Sequence, residues 1–193
     1  MGTLQGLQDY LDAHYHVSVF KEAPDSKQDW ILHLHGHRII RAKIMEDLTY
    51  DIRYGLDGGG EETIPKVEVK MLYPADPDDA VKPLLKTDKK VLDLALEPLY
   101  APHKRYHIKN KSLFPLMHEK QVLFFTLLEG EIIKGIIAAF CRYEITVRMK
   151  GGIPVTILRH SICDLRNKKE RCFLKSSQEG LRDWEKSPLF IPS

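Results

Sequence analysis

The 193-residue sequence has few cysteines, no long apolar run and no charge excess of either sign. Its three cysteines, Cys141, Cys163 and Cys172, form no closely spaced pair, which argues against a disulfide framework or a zinc knuckle and favours reduced thiols in the cytoplasm. The longest apolar stretch, 132–140, contains Lys134 and is far shorter than the roughly 20 residues of a membrane helix. We therefore expect no membrane span, and the polar N-terminal residues predict no export signal.

The overall charge excludes indiscriminate coating of duplex DNA, because the formal net charge is only +2. Apolar residues at 43% and charged residues at 29% are typical of a folded globular chain. Basic residues nevertheless cluster within 103–111 and again within 166–171. Local binding of an anion is therefore expected at these segments.

The second half of the chain has the pattern of short β-strands separated by tight turns. A helix capped by Ser112, with Pro115 in its first turn, is expected just ahead of them. Lys150-Gly151-Gly152 supplies the positive backbone angles of a hairpin turn. Five short antiparallel strands favour a strongly bent sheet closed as a small barrel; they are predicted at 121–128, 131–139, 143–150, 155–159 and 161–165.

A similar order is predicted for the N-terminal half. Thr3 is expected to cap a helix with an apolar stripe at Leu4, Leu7 and Leu11, and a polar loop is expected at 21–29. Strands are then predicted at 30–35, 39–45, 50–54 and, after a glycine-rich turn, 62–72.

The two halves form an internal repeat. Segment 39–44 parallels 132–137, and eight residues beyond Ala42 and Gly135 come Tyr50 and Tyr143. One insertion is expected in the first strand pair, where the turn glycine lies six residues before Ala42 but five before Gly135. The predicted organisation is a first, divergent barrel at 1–74, a linker with a helix near 87–96 at 75–110, a second barrel at 111–175 and a tail at 176–193 that packs as a strap or remains mobile.

Residues 111–166 resemble the Hfq-like branch of the Sm and Sm-like family, and residues 3–73 resemble it more weakly. The most specific match is Arg159-His160-Ser161-Ile162, which is similar to the family's Lys-His-Ala-Ile signature. The resemblance implies two tandem Sm-like barrels whose fourth strand adds to the fifth strand of a neighbour, giving rings of six or seven barrels. Three chains of 22.3 kDa would then form a pseudo-hexamer of 66.9 kDa.

The resemblance also implies single-stranded RNA binding at the pore of the ring. By position, Tyr143 stacks a base while Arg159 and His160 contact base edges and phosphate. In the first half only Tyr50 and Lys66 are expected to contact RNA, because Val67 occupies the position that corresponds to His160. We therefore expect three stronger pockets alternating with three weaker ones. Cys141 and Arg142 replace the family's Asp and Gln before the aromatic residue, which favours phosphate attraction by Arg142 over selection of uracil.

Other functions remain open at this stage. A ring used only as a protein-interaction scaffold is the main alternative to RNA binding. His33, His35 and His37 alternate along a strand and are candidate zinc ligands, but no acidic residue precedes Glu46 in the following sequence, so a metal-dependent hydrolase is not favoured. No catalytic triad or phosphate-binding glycine motif is present. The sequence thus predicts a non-enzymatic protein without a cofactor.

Overall fold

A computed structural model describes residues 2–192, a mainly β structure with an antiparallel sheet and six helices. The strands are β1 (Thr3–Leu4), β2 (Trp30–Leu34), β3 (Arg38–Asp47), β4 (Asp51–Leu56), β5 (Glu61–Pro65), β6 (Val69–Pro74), β7 (Lys86–Thr87), β8 (Leu123–Leu127), β9 (Glu131–Phe140), β10 (Glu144–Arg148), β11 (Pro154–Leu158), β12 (Ile162–Asn167) and β13 (Phe190–Ile191). The helices are α1 (Leu7–His14), α2 (Val19–Ser26), α3 (Asp78–Val81), α4 (Lys89–Asp93), α5 (Asn110–His118) and α6 (Lys175–Leu181).

The main sheet is a single open path in the order β12-β8-β9-β10-β11-β6-β2-β3-β4-β5. Strand β7 pairs with the first residues of β9, and β1 pairs separately with β13. The path contains the same five-strand order twice, once for residues 30–74 (the first half) and once for 123–167 (the second half). The two halves join where β11 pairs with β6.

Equivalent positions of the two halves differ by 93 in residue number throughout these ranges, as Trp30 and Leu123 do. The hairpin registers agree: Leu32 opposes Ile40 in the first half, and Phe125 opposes Ile133 in the second. The expected insertion in the first strand pair is therefore wrong. The left-handed turn residue equivalent to Gly130, with φ 91°, is His37, with φ 56°, and not Gly36.

Even the irregularities of the sheet are repeated. The β3–β4 pairing shifts register between Ile44 and Glu46, and the equivalent β9–β10 pairing shifts at the same place. A register shift of this kind bends a strand and increases its local twist. Along β3, residues 38–42 pair with β2 and residues 42–47 pair with β4, so the shift lies within the pairing to β4.

Two apolar clusters lie beneath the sheet. One contains Phe20, Trp30 and Leu72 with helix α2 against the first half, and the other contains Phe114, Phe125 and Ile157 with helix α5 against the second. All five residues of β2 are buried, because this strand lies within the sheet with side chains packed on both faces. His33, a candidate zinc ligand on this strand, is therefore covered by protein.

The N-terminal helix prediction needs correction. Residues Thr3–Leu4 form a strand, and α1 begins after Gly6, whose φ of 81° ends the extended segment. The predicted polar loop at 21–29 is largely helix α2, because Ser18 accepts a hydrogen bond from the Phe20 amide at its N-terminus. Burial of Phe20 and Ala23 then holds this short helix on the sheet.

The helices of the second half also differ from expectation. Helix α5 begins at Asn110, so Ser112 is a buried helical residue and Pro115 lies inside the helix. In the linker, the helix predicted near 87–96 is the shorter α4, which Asp88 caps by accepting hydrogen bonds from the Lys90 and Val91 amides. The tail is folded through α6 and β13. Among residues 2–192 no helix combines the length and apolar character that spanning a membrane requires.

Candidate nucleic-acid interface

The junction of β6 and β11, here called the seam, joins the fourth strand of the second half to the fifth strand of the first. Thr156 opposes Leu72 and Ile157 opposes Met71. Ser161 Oγ donates to the Lys70 carbonyl at 2.9 Å across the same junction. The seam therefore combines strand pairing with side-chain hydrogen bonds.

The strands that form the seam, β11 and β6, have counterparts in the other half. These counterparts, β5 and β12, lie at the two ends of the sheet. β5 has β4 as its sole strand neighbour in the described chain, and Ile64 is half-buried where the equivalent Ile157 is fully buried. At the other end, β12 carries an isolated bridge between Arg166 and Cys172, and the Phe173 amide donates to the Leu165 carbonyl at 2.9 Å. The outer edge of β12 is thus partly covered by residues 171–173.

In each half the predicted site residues lie on two turns, and a backbone hydrogen bond joins one turn to the other. In the second half the Arg159 amide donates to the Tyr143 carbonyl at 2.8 Å, and in the first half the Lys66 amide donates to the Tyr50 carbonyl at 2.8 Å. Short 3₁₀ turns at Arg159–Ser161 and Lys66–Glu68 position the two basic residues. The structure therefore brings each tyrosine next to its predicted basic partner.

Both tyrosine rings face solvent. Tyr143 is 57% exposed and Tyr50 is 80% exposed, far more than aromatic side chains that serve the core. The Arg142 guanidinium lies 5.0 Å from the centre of the Tyr143 ring. An exposed ring beside a cation is suited to stacking a base and attracting its phosphate.

Arg159 is less free than the sequence suggests. Its Nη2 donates to Asn110 Oδ1 at 3.0 Å, and its guanidinium lies 5.5 Å from the centre of the Phe140 ring. Burial lowers the Arg159 pKa to about 10, so the group remains charged at neutral pH. Arg159 therefore adds a fixed positive charge to the site, and its side chain is held by these contacts instead of extending into solvent.

His160 is held at the seam. Its Nε2 lies 2.9 Å from the Val69 carbonyl oxygen, and burial lowers the His160 pKa to about 3, with the nearby Arg105 charge acting in the same direction. The imidazole is therefore neutral at pH 7 and bonds the Val69 carbonyl as a donor. The hydrogen bond from His160 to Val69 therefore joins the second half to the first.

Lys66 is engaged within the first half. Its Nζ lies 2.6 Å from Asp47 Oδ1 and also donates to the Leu48 carbonyl. This ion pair neutralises the positive charge beside Tyr50. The first-half site thus has an exposed ring, Tyr50, but less net positive charge beside it than the second-half site has beside Tyr143.

Sequence reasoning missed Arg105 as a member of this site, although the basic cluster at 103–111 had indicated the segment. Arg105 donates through Nε to the Leu99 carbonyl at 2.9 Å and through Nη2 to the Tyr100 carbonyl at 2.8 Å. Burial lowers the Arg105 pKa. The linker therefore brings one fixed cation to the side of the second-half turns.

Glu144 was also missed. Its carboxylate accepts hydrogen bonds from Ser18 Oγ and from the Val19 amide at 2.9 Å, and so binds the start of α2 to the second half. Burial raises the Glu144 pKa. No spacing signal in the sequence connects residues this far apart.

Comparison of the chain with family models, curated proteins and solved structures gives no match. The arrangement of the site residues offers two exposed aromatic faces, with more positive charge around Tyr143 than around Tyr50.

Proposed function

We propose that this chain consists of two tandem Sm-like barrels, of which the second is Hfq-like, and that three chains close into a ring that binds single-stranded RNA. The protein acts without catalysis in the cytoplasm, as an RNA chaperone or another post-transcriptional regulator. Tyr143, Arg142 and Arg159 form the stronger pocket, with His160 behind them at the seam. Tyr50 and Lys66 form the weaker pocket.

The observation that carries the proposal is the repeated turn pair. Tyr143 with Arg159 and Tyr50 with Lys66 have the same backbone hydrogen bond at equivalent positions. In a ring, such turns would recur six times around one axis. Stacking on exposed aromatic rings contributes about 1–3 kcal/mol per base and tolerates many sequences, so a weak sequence preference is expected.

The seam supports the assembly. It joins a fourth strand to a fifth strand inside the chain and leaves a fourth strand, β5, and a fifth strand, β12, at the two ends. The same register between chains sets Ile64 opposite Asp164 of the next copy and Thr63 opposite its Leu165. Because the Leu165 carbonyl already accepts from Phe173, residues 171–173 must move aside when two chains pair along this whole length.

Titration of labelled U-rich and A-rich oligonucleotides at two salt concentrations tests the function. Binding should weaken as salt rises, because each neutralised phosphate releases counterions. Tyr143→Ala should weaken binding by about 5- to 150-fold, corresponding to the loss of one stacked base, while Tyr143→Phe keeps the ring and should bind nearly as the parent does.

Two outcomes oppose the proposal. If Tyr143→Ala binds RNA as tightly as Tyr143→Phe, the turn pair is not the site. If neither oligonucleotide binds at low salt, the chain is better explained as a protein-interaction scaffold built on the same ring.

A further inference from the structure

The hairpin turns of the two halves meet beside the seam and bring together two histidines, two glutamates and a lysine. Glu129 Oε1 accepts from the Gly36 amide at 2.6 Å, and Glu129 Oε2 accepts from the His37 amide at 3.1 Å. Lys70 Nζ donates to both Glu129 and Glu131. The acidic ligands that the sequence around His33, His35 and His37 lacks thus come from the second half.

Two groups in this cluster lack hydrogen-bond partners within the described chain. His35 is 5% exposed, and neither of its ring nitrogens makes a hydrogen bond. Glu131 Oε2 is also buried without a partner. Buried polar atoms are nearly always bonded, so a histidine and a carboxylate oxygen left open in the same cluster point to a further ligand.

The spacing fits a small cation. Donor atoms of His37, Glu129 and Glu131 all lie within 4.8 Å of one another. His35 Nδ1 lies 3.5 Å from Glu129 Oε1, and His37 Nδ1 lies 3.5 Å from Glu129 Oε2. Two zinc bonds of about 2.0–2.1 Å meeting at a tetrahedral angle separate their ligand atoms by about 3.3 Å.

We propose that this cluster is a binding site for a divalent transition-metal ion of the zinc type, with His37, Glu129 and Glu131 as ligands; the buried His35, whose Nδ1 lies beside Glu129 Oε1, becomes the fourth donor when its ring turns toward the ion. Imidazole ligands favour zinc over magnesium or calcium, and the carboxylates supply the charge. The His37 side chain is 62% exposed and gives the ion a route from solvent. The ion links the two halves and so stabilises the seam.

Lys70 competes with the metal. Its side chain is 1% exposed and its ammonium bridges Glu129 and Glu131, so it already balances one of their two charges. A metal ion must displace the ammonium from at least one carboxylate. Removing this positive charge should therefore tighten metal binding.

The site can form only once per chain. The first-half residues equivalent to Glu129 and Glu131 are Gly36 and Arg38, which offer no carboxylate. Junctions between separate chains consequently lack it. The expected stoichiometry is one ion per chain, whatever the size of the assembly and whether or not RNA binds.

Calorimetric titration of the metal-stripped full chain with Zn²⁺ tests the inference, with the visible absorption of added Co²⁺ reporting tetrahedral ligation. One ion should bind per chain. His37→Ala, compared as a chain that remains folded by circular dichroism, should lower the affinity by at least about tenfold. His103→Ala removes another exposed histidine and should leave the affinity unchanged.

A Lys70→Met chain that remains folded by circular dichroism should bind Zn²⁺ more tightly than the parent. The inference is overturned if the parent binds no ion, or if His37→Ala and His103→Ala bind equally. Equal or weaker binding by the folded Lys70→Met chain also contradicts it, since the ammonium would then not compete.

Discussion

Gly135 lies directly against the backbone of Arg148, closer than any Cβ atom at this position would allow. The equivalent first-half position is Ala42, which is fully buried and has a Cβ. The two halves thus share a strand register, but at this bend β9 and β10 of the second half leave no room for the Cβ atom that Ala42 carries between β3 and β4 of the first half. This difference gives a matched pair of substitutions.

Gly135→Ala is expected to lower the free energy of unfolding by about 1–3 kcal/mol, because the added methyl overpacks the bend. Ala42→Gly should cost about 0.5–1 kcal/mol through backbone entropy. Urea denaturation of both variants measures the difference. A Gly135→Ala chain as stable as the parent would show that the strands separate freely at this point.

Glu144 is expected to stabilise the packing of α2 on the second half. Glu144→Ala removes the acceptor for Ser18 Oγ and the Val19 amide and should cost about 1–3 kcal/mol in unfolding free energy. Asp51→Ala at the equivalent first-half position should change stability by no more than about 0.5 kcal/mol. Equal losses in the two variants would argue against the helix contact.

Acid should weaken the seam through His160. Because its pKa is lowered to about 3 in the folded chain from an ordinary value of about 6.5, the unfolded chain binds the proton more readily between these limits. The stabilisation is complete above about pH 6.5 and declines as pH falls toward 3.

Unfolding free energies of the parent and of His160→Gln between pH 4 and 7.5 measure this contribution. The glutamine amide can still donate to Val69 but does not titrate, so the variant should lose less stability in acid. His33, whose pKa burial lowers to about 4, contributes a similar slope to both proteins. Parallel curves would assign the acid sensitivity elsewhere.

The open edge of β5 is expected to carry the contact between chains. Ile64→Glu adds a charge at an edge position whose equivalent, Ile157, is fully buried at the seam. The variant should be monomeric by light scattering and retain the circular dichroism of the parent. Ile39→Glu, on an exposed residue of β3, should leave the mass of the assembly unchanged.

Most strands of the two halves were predictable because apolar periodicity and turn glycines are local signals, as at Gly130 and Gly151. The single strand predicted at 62–72 was wrong, since a 3₁₀ turn at Lys66–Glu68 divides it into β5 and β6. Helix α2 was not, because its stability depends on burying Phe20 and Ala23 and on the Ser18 cap, while its other residues resemble a polar loop. Of the candidate site, the pairing of Tyr143 with Arg159 was expected from the resemblance to Sm-like proteins, because it depends on positions in the family's motif.

The remaining site features depend on tertiary structure. The contact of Lys70 with Glu129 joins residues 59 positions apart, and that of Ser18 with Glu144 joins residues 126 apart. No periodicity connects such residues. The burial of His160 was equally invisible, since it arises only when β11 pairs with β6.

The mass of the parent protein in solution, measured by size-exclusion chromatography with light scattering, tests the proposed ring most directly. Three chains of 22.3 kDa predict a particle of 66.9 kDa that persists on dilution. A stable particle of 22.3 kDa would contradict the ring, because β5 and β12 would then be the permanent ends of a single open sheet.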